Sequence, residues 1–520
     1  MRGSLKVPVK ASPGGIREDL SVFEIPNGWL EESLNWFPNR GVTGPRPAYS
    51  QIGETLTSAD RITGIAIRGD LNQATNIVFH TLTAAYHWNG TTNTDITGDT
   101  WNASTIDQLV RMVTYRSGGT MWLARINGAN EVEKWDGTSS AFQNIPEAPL
   151  GVDMTVVGGY LVVIQEDGTV VWNKLNDIDT WPALNINPVN DTPGDGVAIK
   201  ALTPLSFAVY KTDSVYIATL QAAKNAFQFQ RIELVSGPLS AAAVVEVKNS
   251  HYWISTDHVI RRFNGSTVED VSRGAVESIS TTVRFEGKAQ THGYSRTADQ
   301  DEVWWRYADI DSGDLTRGIS CVIREDRPEG QLGVVNLHTY ADPITASMSW
   351  RTQASLTYAA LTAQASTYVG ITSLYPTYGD LTSSGTILAL MGDASGKYYQ
   401  SGIGDITDDG TAVTWSFKHP FRAYANFGKR LQLDGIASYW KTTSLAFTVT
   451  VNVIANETGH TGGTASSGTF LLASSSAEDH IVTFPDEIGQ FVSVEHTGTS
   501  IFSGLAHRMV YVMGWPQEMV

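Results

Sequence analysis

A short box recurs in this chain and limits what it can fold into: an aromatic residue closes a run of strand-forming residues, and Asn-Gly or Asp-Gly follows with a hydroxyl residue after it. His87-Trp88-Asn89-Gly90-Thr91, Lys134-Trp135-Asp136-Gly137-Thr138 and Arg262-Phe263-Asn264-Gly265-Ser266 are the three instances. Asn-Gly and Asp-Gly supply the positive φ that a two-residue hairpin turn demands. Each box is therefore expected to be a β-hairpin with a large ring at the end of its first strand. Hairpins repeated with a ring at a fixed place point to propeller blades.

The surrounding chain carries the same signal. Ile62–Arg68, Asn76–His80, Leu109–Tyr115, Met121–Arg125, Thr155–Ile164, Ala208–Ile217 and His251–Ile260 read as short strands, several with a polar turn inside. About 18 to 22 strands are expected between residues 61 and 345, enough for roughly five or six four-stranded blades. Helical period is weak, and Leu239–Glu246 is the best candidate for a short helix, opening after Gly237-Pro238. The predicted fold is all-β, a β-propeller with an additional β-sandwich-like platform domain.

Four regions follow. Residues 1–60 form an extended, Pro- and Gly-rich arm expected to pack on the platform, because proline lacks an N–H and suits no central strand. Residues 61–345 form the propeller. Residues 346–400 hold a Thr-Tyr repeat and return strands. The repeat runs Thr357-Tyr358, Thr367-Tyr368 and Thr377-Tyr378, at a period of ten residues. Residues 401–520 alternate strongly, as in Leu445–Ile454 and Phe491–Glu495, and are expected to be the sandwich-like platform.

Charge and composition exclude several functions. The formal net charge is -17, which repels nucleic-acid backbones but suits DNA that slides past without sticking. The single cysteine, Cys321, excludes a disulfide framework and a Cys-rich zinc site. The start Met1–Lys6 carries no apolar secretory core, and no run approaches the roughly 18 apolar residues of a membrane span.

Tests for chemistry fail one by one. Gly392–Lys397 is too short for a phosphate loop, and Tyr398 stands where Ser or Thr would bind magnesium. No Gly-x-Ser-x-Gly or His-Glu-x-x-His occurs. Asp405, Thr407, Asp409 and Gly410 mimic a calcium loop, but Ser416 replaces its bidentate Glu, so a hairpin turn is the better reading. Arg68-Gly69-Asp70 reads as a strand end followed by a tight turn. Lone histidines such as His80 and His251 read as packed residues. The expectation is a non-enzyme with no catalytic residue, cofactor or metal.

Taken in order, a further set of residues resembles a viral family. It runs Glu32-Ser33-Leu34-Asn35, Gly44-Pro45-Arg46-Pro47-Ala48-Tyr49, Tyr86–Gly90, Val171–Asp177 with Thr180-Trp181, Ile199–Leu205, Tyr210–Tyr216, Trp253–Asp257 and Phe263-Asn264-Gly265. This order is similar to the tail hub, nozzle or head-to-tail stabilisation proteins of short-tailed bacteriophages, over residues 20–420. The Thr-Tyr decads resemble that family's Thr-Trp-Asp repeats. The resemblance implies a structural virion protein of the tail, made in the host bacterial cytoplasm. Its copies would close a homohexameric ring around the DNA channel below the portal and adaptor. That ring would retain and then conduct double-stranded DNA and dock tail fibres or spikes. Tyr358, Tyr368, Tyr378, Trp36 and Arg46 are the interaction candidates. The alternative is a glycan- or receptor-binding propeller at the tail tip.

Overall fold

In a computed structural model of the chain, almost every regular element is a β-strand. The residues described are 5–10, 16–17, 25, 29–39, 42–68, 76–98, 101–102, 104–221, 226–296, 302–323, 333–351, 387–401, 407–420, 422–423, 429–441, 447–456, 464–472, 477–483, 488–489, 491–500 and 506–518.

Antiparallel four-stranded sheets follow one another along the chain as blades. Blade 1 is Ile62–Ile67, Ile77–Thr81, Ala85–Trp88 and Asn93–Asp95. Blade 2 is Arg111–Ser117, Thr120–Ile126, Glu133–Trp135 and Gln143–Asn144. Blade 3 is Asp153–Val157, Tyr160–Ile164, Thr169–Trp172 and Ile186–Pro188. Blade 4 is Gly196–Thr203, Ser206–Lys211, Val215–Gln221 and Ala226–Glu233. Blade 5 is Val245–Val247, Ser250–Ile254, Ile260–Phe263 and Val268–Asp270. Blade 6 is His292–Arg296, Glu302–Tyr307, Arg317–Ile323 and Gly333–Thr339.

A seventh unit exceeds the five or six expected. Ile344–Arg351, Ile387–Asp393 and Tyr398–Ser401 form its inner three strands, and Tyr49–Gln51 of the N-terminal arm supplies the fourth. Its strands therefore lie on both sides of residue 345. The Thr-Tyr repeat, with Tyr358, Tyr368 and Tyr378, lies outside the described residues, between the paired ends Arg351 and Ile387. The borrowed strand is what closes the ring: it ties the last blade to the segment that precedes the first.

Apolar cores fill the gap between each neighbouring pair of blades. Ala66, Val78 and Ile96 meet Leu123, Trp135 and Phe142 between blades 1 and 2. Ile62, Phe79 and Trp88 meet Ala346, Leu390 and Tyr398 where blade 1 closes on blade 7. The ring at the end of the third strand explains its recurrence: Trp88, Trp135 and Phe263 each pack toward the preceding blade, while Trp172 packs toward the following one.

The boxes differ from the expected two-residue turn. Trp88 pairs with Asn93 and Phe263 with Val268, so four residues form each loop. Asn89 Oδ1 accepts the backbone N–H groups of Thr91 and Thr92, and Asn264 Oδ1 those of Ser266 and Thr267. Only the glycine has positive φ, at 95° for Gly90 and 97° for Gly265. The Asx side chain, rather than a second left-handed residue, closes the loop. The two-residue form with positive φ at both positions is found at Gly158-Gly159 and at Asp409-Gly410, the expected hairpin in place of a calcium loop. The candidate helix at 239–246 is a 3₁₀ turn, Ala241–Ala243, capped by Ser240; the β-branched Val244, Val245 and Val247 that follow carry the chain into the inner strand of blade 5.

The platform has two sheets. One pairs Lys429–Lys441 with Ala506–Glu518, Ala477–Thr483 and Ile488–Gly489, and takes in Leu5–Lys10 and the hairpin Trp36–Asn39/Val42–Pro45 from the arm. The other pairs Phe491–Ser500 with Thr411–Lys418, Arg422–Ala423 and Phe447–Asn456, which pairs with Thr464–Leu472.

Candidate functional site

The N-terminal arm joins propeller to platform, and the residues of the joint are those of the ordered series above. Glu32–Leu34 lies between the last strand of blade 6, where Leu34 pairs in parallel with Leu337, and Thr411–Lys418 of the platform. Asn35 then turns with φ of 53°, a conformation asparagine tolerates better than most residues. Its Oδ1 accepts the Thr339 N–H at 2.8 Å and Arg46 Nε at 3.0 Å, and its Nδ2 donates to the Thr414 carbonyl at 2.7 Å. One amide thus ties blade 6, the arm and the platform.

Trp36 and Arg46, the two described interaction candidates, are both buried within the chain. Trp36 stacks on Phe417 at 4.6 Å and lies 4.8 Å from Trp415, carrying the arm hairpin onto the second platform sheet. Arg46 makes a bidentate pair with the buried Asp408, Nη1 to Oδ1 at 2.9 Å and Nη2 to Oδ2, and donates to the carbonyls of Thr339 and Pro47. Its guanidinium lies 4.1 Å from the Tyr340 ring centroid, and Arg306 lies 3.7 Å from the same ring. Burial, the largest single influence, pulls the Arg46 pKa down, but Asp408, Tyr340 and Tyr49 together outweigh it and the net shift is upward. These two residues form an internal fastening rather than a surface offered to a partner. Their aromatic and planar-cationic chemistry suits interfaces and inter-domain joints alike, so sequence could not separate the two.

The innermost strands of all seven blades enclose an axial channel of about 350 Å³. Small-molecule sites fall in the range of roughly 300–1,000 Å³. Arg111 of blade 2, Lys200 of blade 4, Glu246 of blade 5 and His292 of blade 6 line its wall, and the buried Asp153 of blade 3 pairs with Arg111 and Lys200. Asp153 is buried and holds both cations, with Arg111 Nε at 3.0 Å and Lys200 Nζ at 2.6 Å; it also accepts the Ile199 N–H. Burial, then neighbouring Arg111, pulls Lys200 down to about 8 against the attraction of Asp153 and Glu246. Burial raises the Glu246 carboxyl. His292 is pulled down to about 3 by burial, so its ring is neutral and Nδ1 donates to the Gln290 carbonyl at 3.1 Å.

Sequence reading missed this belt. Its signal is present: 111, 153, 200, 246 and 292 recur one blade apart, each within an innermost strand. The remaining expectations fall as follows. His80 and His251 are buried and hydrogen-bonded, His251 between the Tyr210 hydroxyl and the Ala201 carbonyl. Arg68 directly follows the first strand of blade 1, Ile62–Ile67, with Gly69 and Asp70 outside the described residues. No group of three or more metal-ligating side chains occurs among the described residues.

No family model and no curated protein matches the sequence. Solved structures with similar coordinates include the computationally designed Ika8 protein, at TM-score 0.38 and 10% identity over 68% of this chain and 100% of the other. U3-55K superposes at TM-score 0.40 and 8% identity, over 66% and 96%. BamB from Moraxella catarrhalis does so at 0.35 and 10%, over 68% and 98%. At these TM-scores they carry no argument, and the propeller stands on its own strand pairing.

Proposed function

We propose that this chain is a structural protein of a bacteriophage tail. Copies close a homohexameric ring, a nozzle or hub around the DNA channel below the portal and adaptor. The ring retains the genome, conducts it on ejection, and docks fibres or spikes. Its work is assembly and passage, not catalysis.

The observation that most supports this reading is the joint. The stretch Glu32 to Tyr49, part of the series that resembles tail hub and nozzle proteins, is the stretch that fastens the propeller's outer strands to the platform. A propeller and a platform held as one body suit a ring-building unit, because a heterologous contact repeats faithfully only if each copy presents both halves in one fixed geometry. The net charge of -17 favours a lumen that DNA passes without adhering. The propeller's own axial channel, at about 350 Å³, is of small-molecule size, so in this reading DNA runs through the centre of the ring.

Deleting residues 355–385 tests the assembly role of the Thr-Tyr segment. Arg351 and Ile387 are already paired across the blade 7 hairpin, so a short loop can close the gap. The expected result is a folded chain that fails to build tails. Normal, infectious particles from the deletion would overturn the assignment of this segment to assembly.

A further inference from the structure

We infer that the axial channel is a binding site for a small zwitterion, a molecule of amino-acid or dipeptide size bearing one carboxylate and one ammonium group. The observation is a set of unspent hydrogen-bonding groups around one cavity. Arg111 hydrogen-bonds through Nε alone, and Lys200 Nζ makes one bond, so both retain donors beyond those Asp153 takes. Glu246 lines the channel wall and has no hydrogen-bond or ion-pair partner among the described residues. Its acceptors stand near Lys200, which it influences electrostatically.

The charges select the class. The two cations and two carboxylates of the belt balance, so a lone anion or a lone cation would leave a net charge inside a confined, partly desolvated space. A molecule with both groups matches both halves: its carboxylate takes the free N–H groups of Arg111 and Lys200, and its ammonium takes Glu246. Asp153, fixed by the Ile199 N–H, holds the two cations in place before anything binds. The entrance agrees. A depression of about 370 Å³ shares Leu109, Arg111 and Ala242 with the channel, and Asp107, Glu166, Asp195 and Lys288 stand around it. A rim with more carboxylates than amines disfavours a simple anion and admits a molecule that also carries an ammonium.

Thermal-shift measurement followed by titration calorimetry on the full chain is the test. The probes are the proteinogenic amino acids and their glycyl dipeptides at millimolar concentration. At least one should bind, and N-acetylating or amidating it should each weaken binding about tenfold or more. Glu246→Gln should weaken it by a similar factor while changing the melting temperature of the free protein little, since Glu246 attracts Lys200 but makes no hydrogen bond or ion pair to lose. Lys200 faces Arg111, Asp153, Glu246 and His251, and binding should weaken as pH rises through about 8, where Lys200 loses its charge. No binding from the whole set would overturn the inference. So would indifference to Glu246→Gln, or inorganic phosphate binding as tightly as the best zwitterion. Tail assembly is read separately, so these outcomes leave the nozzle reading standing or falling on its own.

Discussion

Replacing Arg46 with methionine removes the charged half of the joint and keeps most of its apolar bulk. In the native chain Asp408 is 3% exposed and receives two guanidinium N–H groups. Without Arg46, Asp408 retains only the Ala341 N–H, at 3.3 Å, among its hydrogen bonds that do not involve the arginine. The Thr339 carbonyl loses two donors, and Asn35 Oδ1 loses one of its two. Leaving a buried charge without its partner costs about 3–5 kcal/mol. That is a large share of the roughly 5–15 kcal/mol that holds a typical domain folded. The expected result is a lower urea midpoint for the transition that separates platform from propeller, with faster proteolysis of the arm. Removing both charges, as Arg46→Met with Asp408→Leu, should recover much of the loss, because an apolar pair of similar volume replaces a buried ion pair at little cost. A single-variant loss under about 1 kcal/mol, or no coupling between the two substitutions, would refute the assignment of this pair as the fastening.

Cys321 should not react with a thiol reagent in the folded chain, since it is fully buried and its thiol is pushed up to about 12; rapid labelling under native conditions would contradict the blade 5/6 core. Burial lowers His251 to about 4 and His292 to about 3, so the unfolded chain binds more protons below about pH 6.5. Stability should be fully present above that pH and fall as pH drops toward 4 and 3, by up to about 1.4 kcal/mol per pH unit for each group; urea midpoints flat from pH 7 to 4.5 would contradict the neutral buried rings. Gly392→Ala would place a Cβ 2.7 Å from Ile62 at the closure of blade 7 on blade 1, and should cost about 1–3 kcal/mol by overpacking; an unchanged melting temperature would show that this contact relaxes freely.

Much of the propeller was legible because a blade is a local object. Its hairpins are consecutive, and its rings and Asx-Gly loops recur at the third-strand end, as at Trp88, Trp135 and Phe263. The seventh unit was not legible for the opposite reason. Residues 352–386 separate its first two strands, and its outermost strand, Tyr49–Gln51, comes from the far end of the chain. No local pattern reports such a pairing. Arg46 was singled out as an interaction candidate, yet its meaning depended on Asp408, hundreds of positions away, which no spacing could supply. The channel belt lay between: its charges recur with the blade period, but only the inward direction of the innermost strands turns that period into a ring.

The central claim is the ring, and the most direct measurement is a cryo-EM reconstruction of a particle carrying this chain, with the tail averaged without imposed symmetry. The account predicts six copies encircling an axial DNA channel beneath the portal, each with its propeller and platform held by the arm. Copies on the tail's periphery, in threes or as projecting arms, would contradict it and favour the receptor-binding alternative.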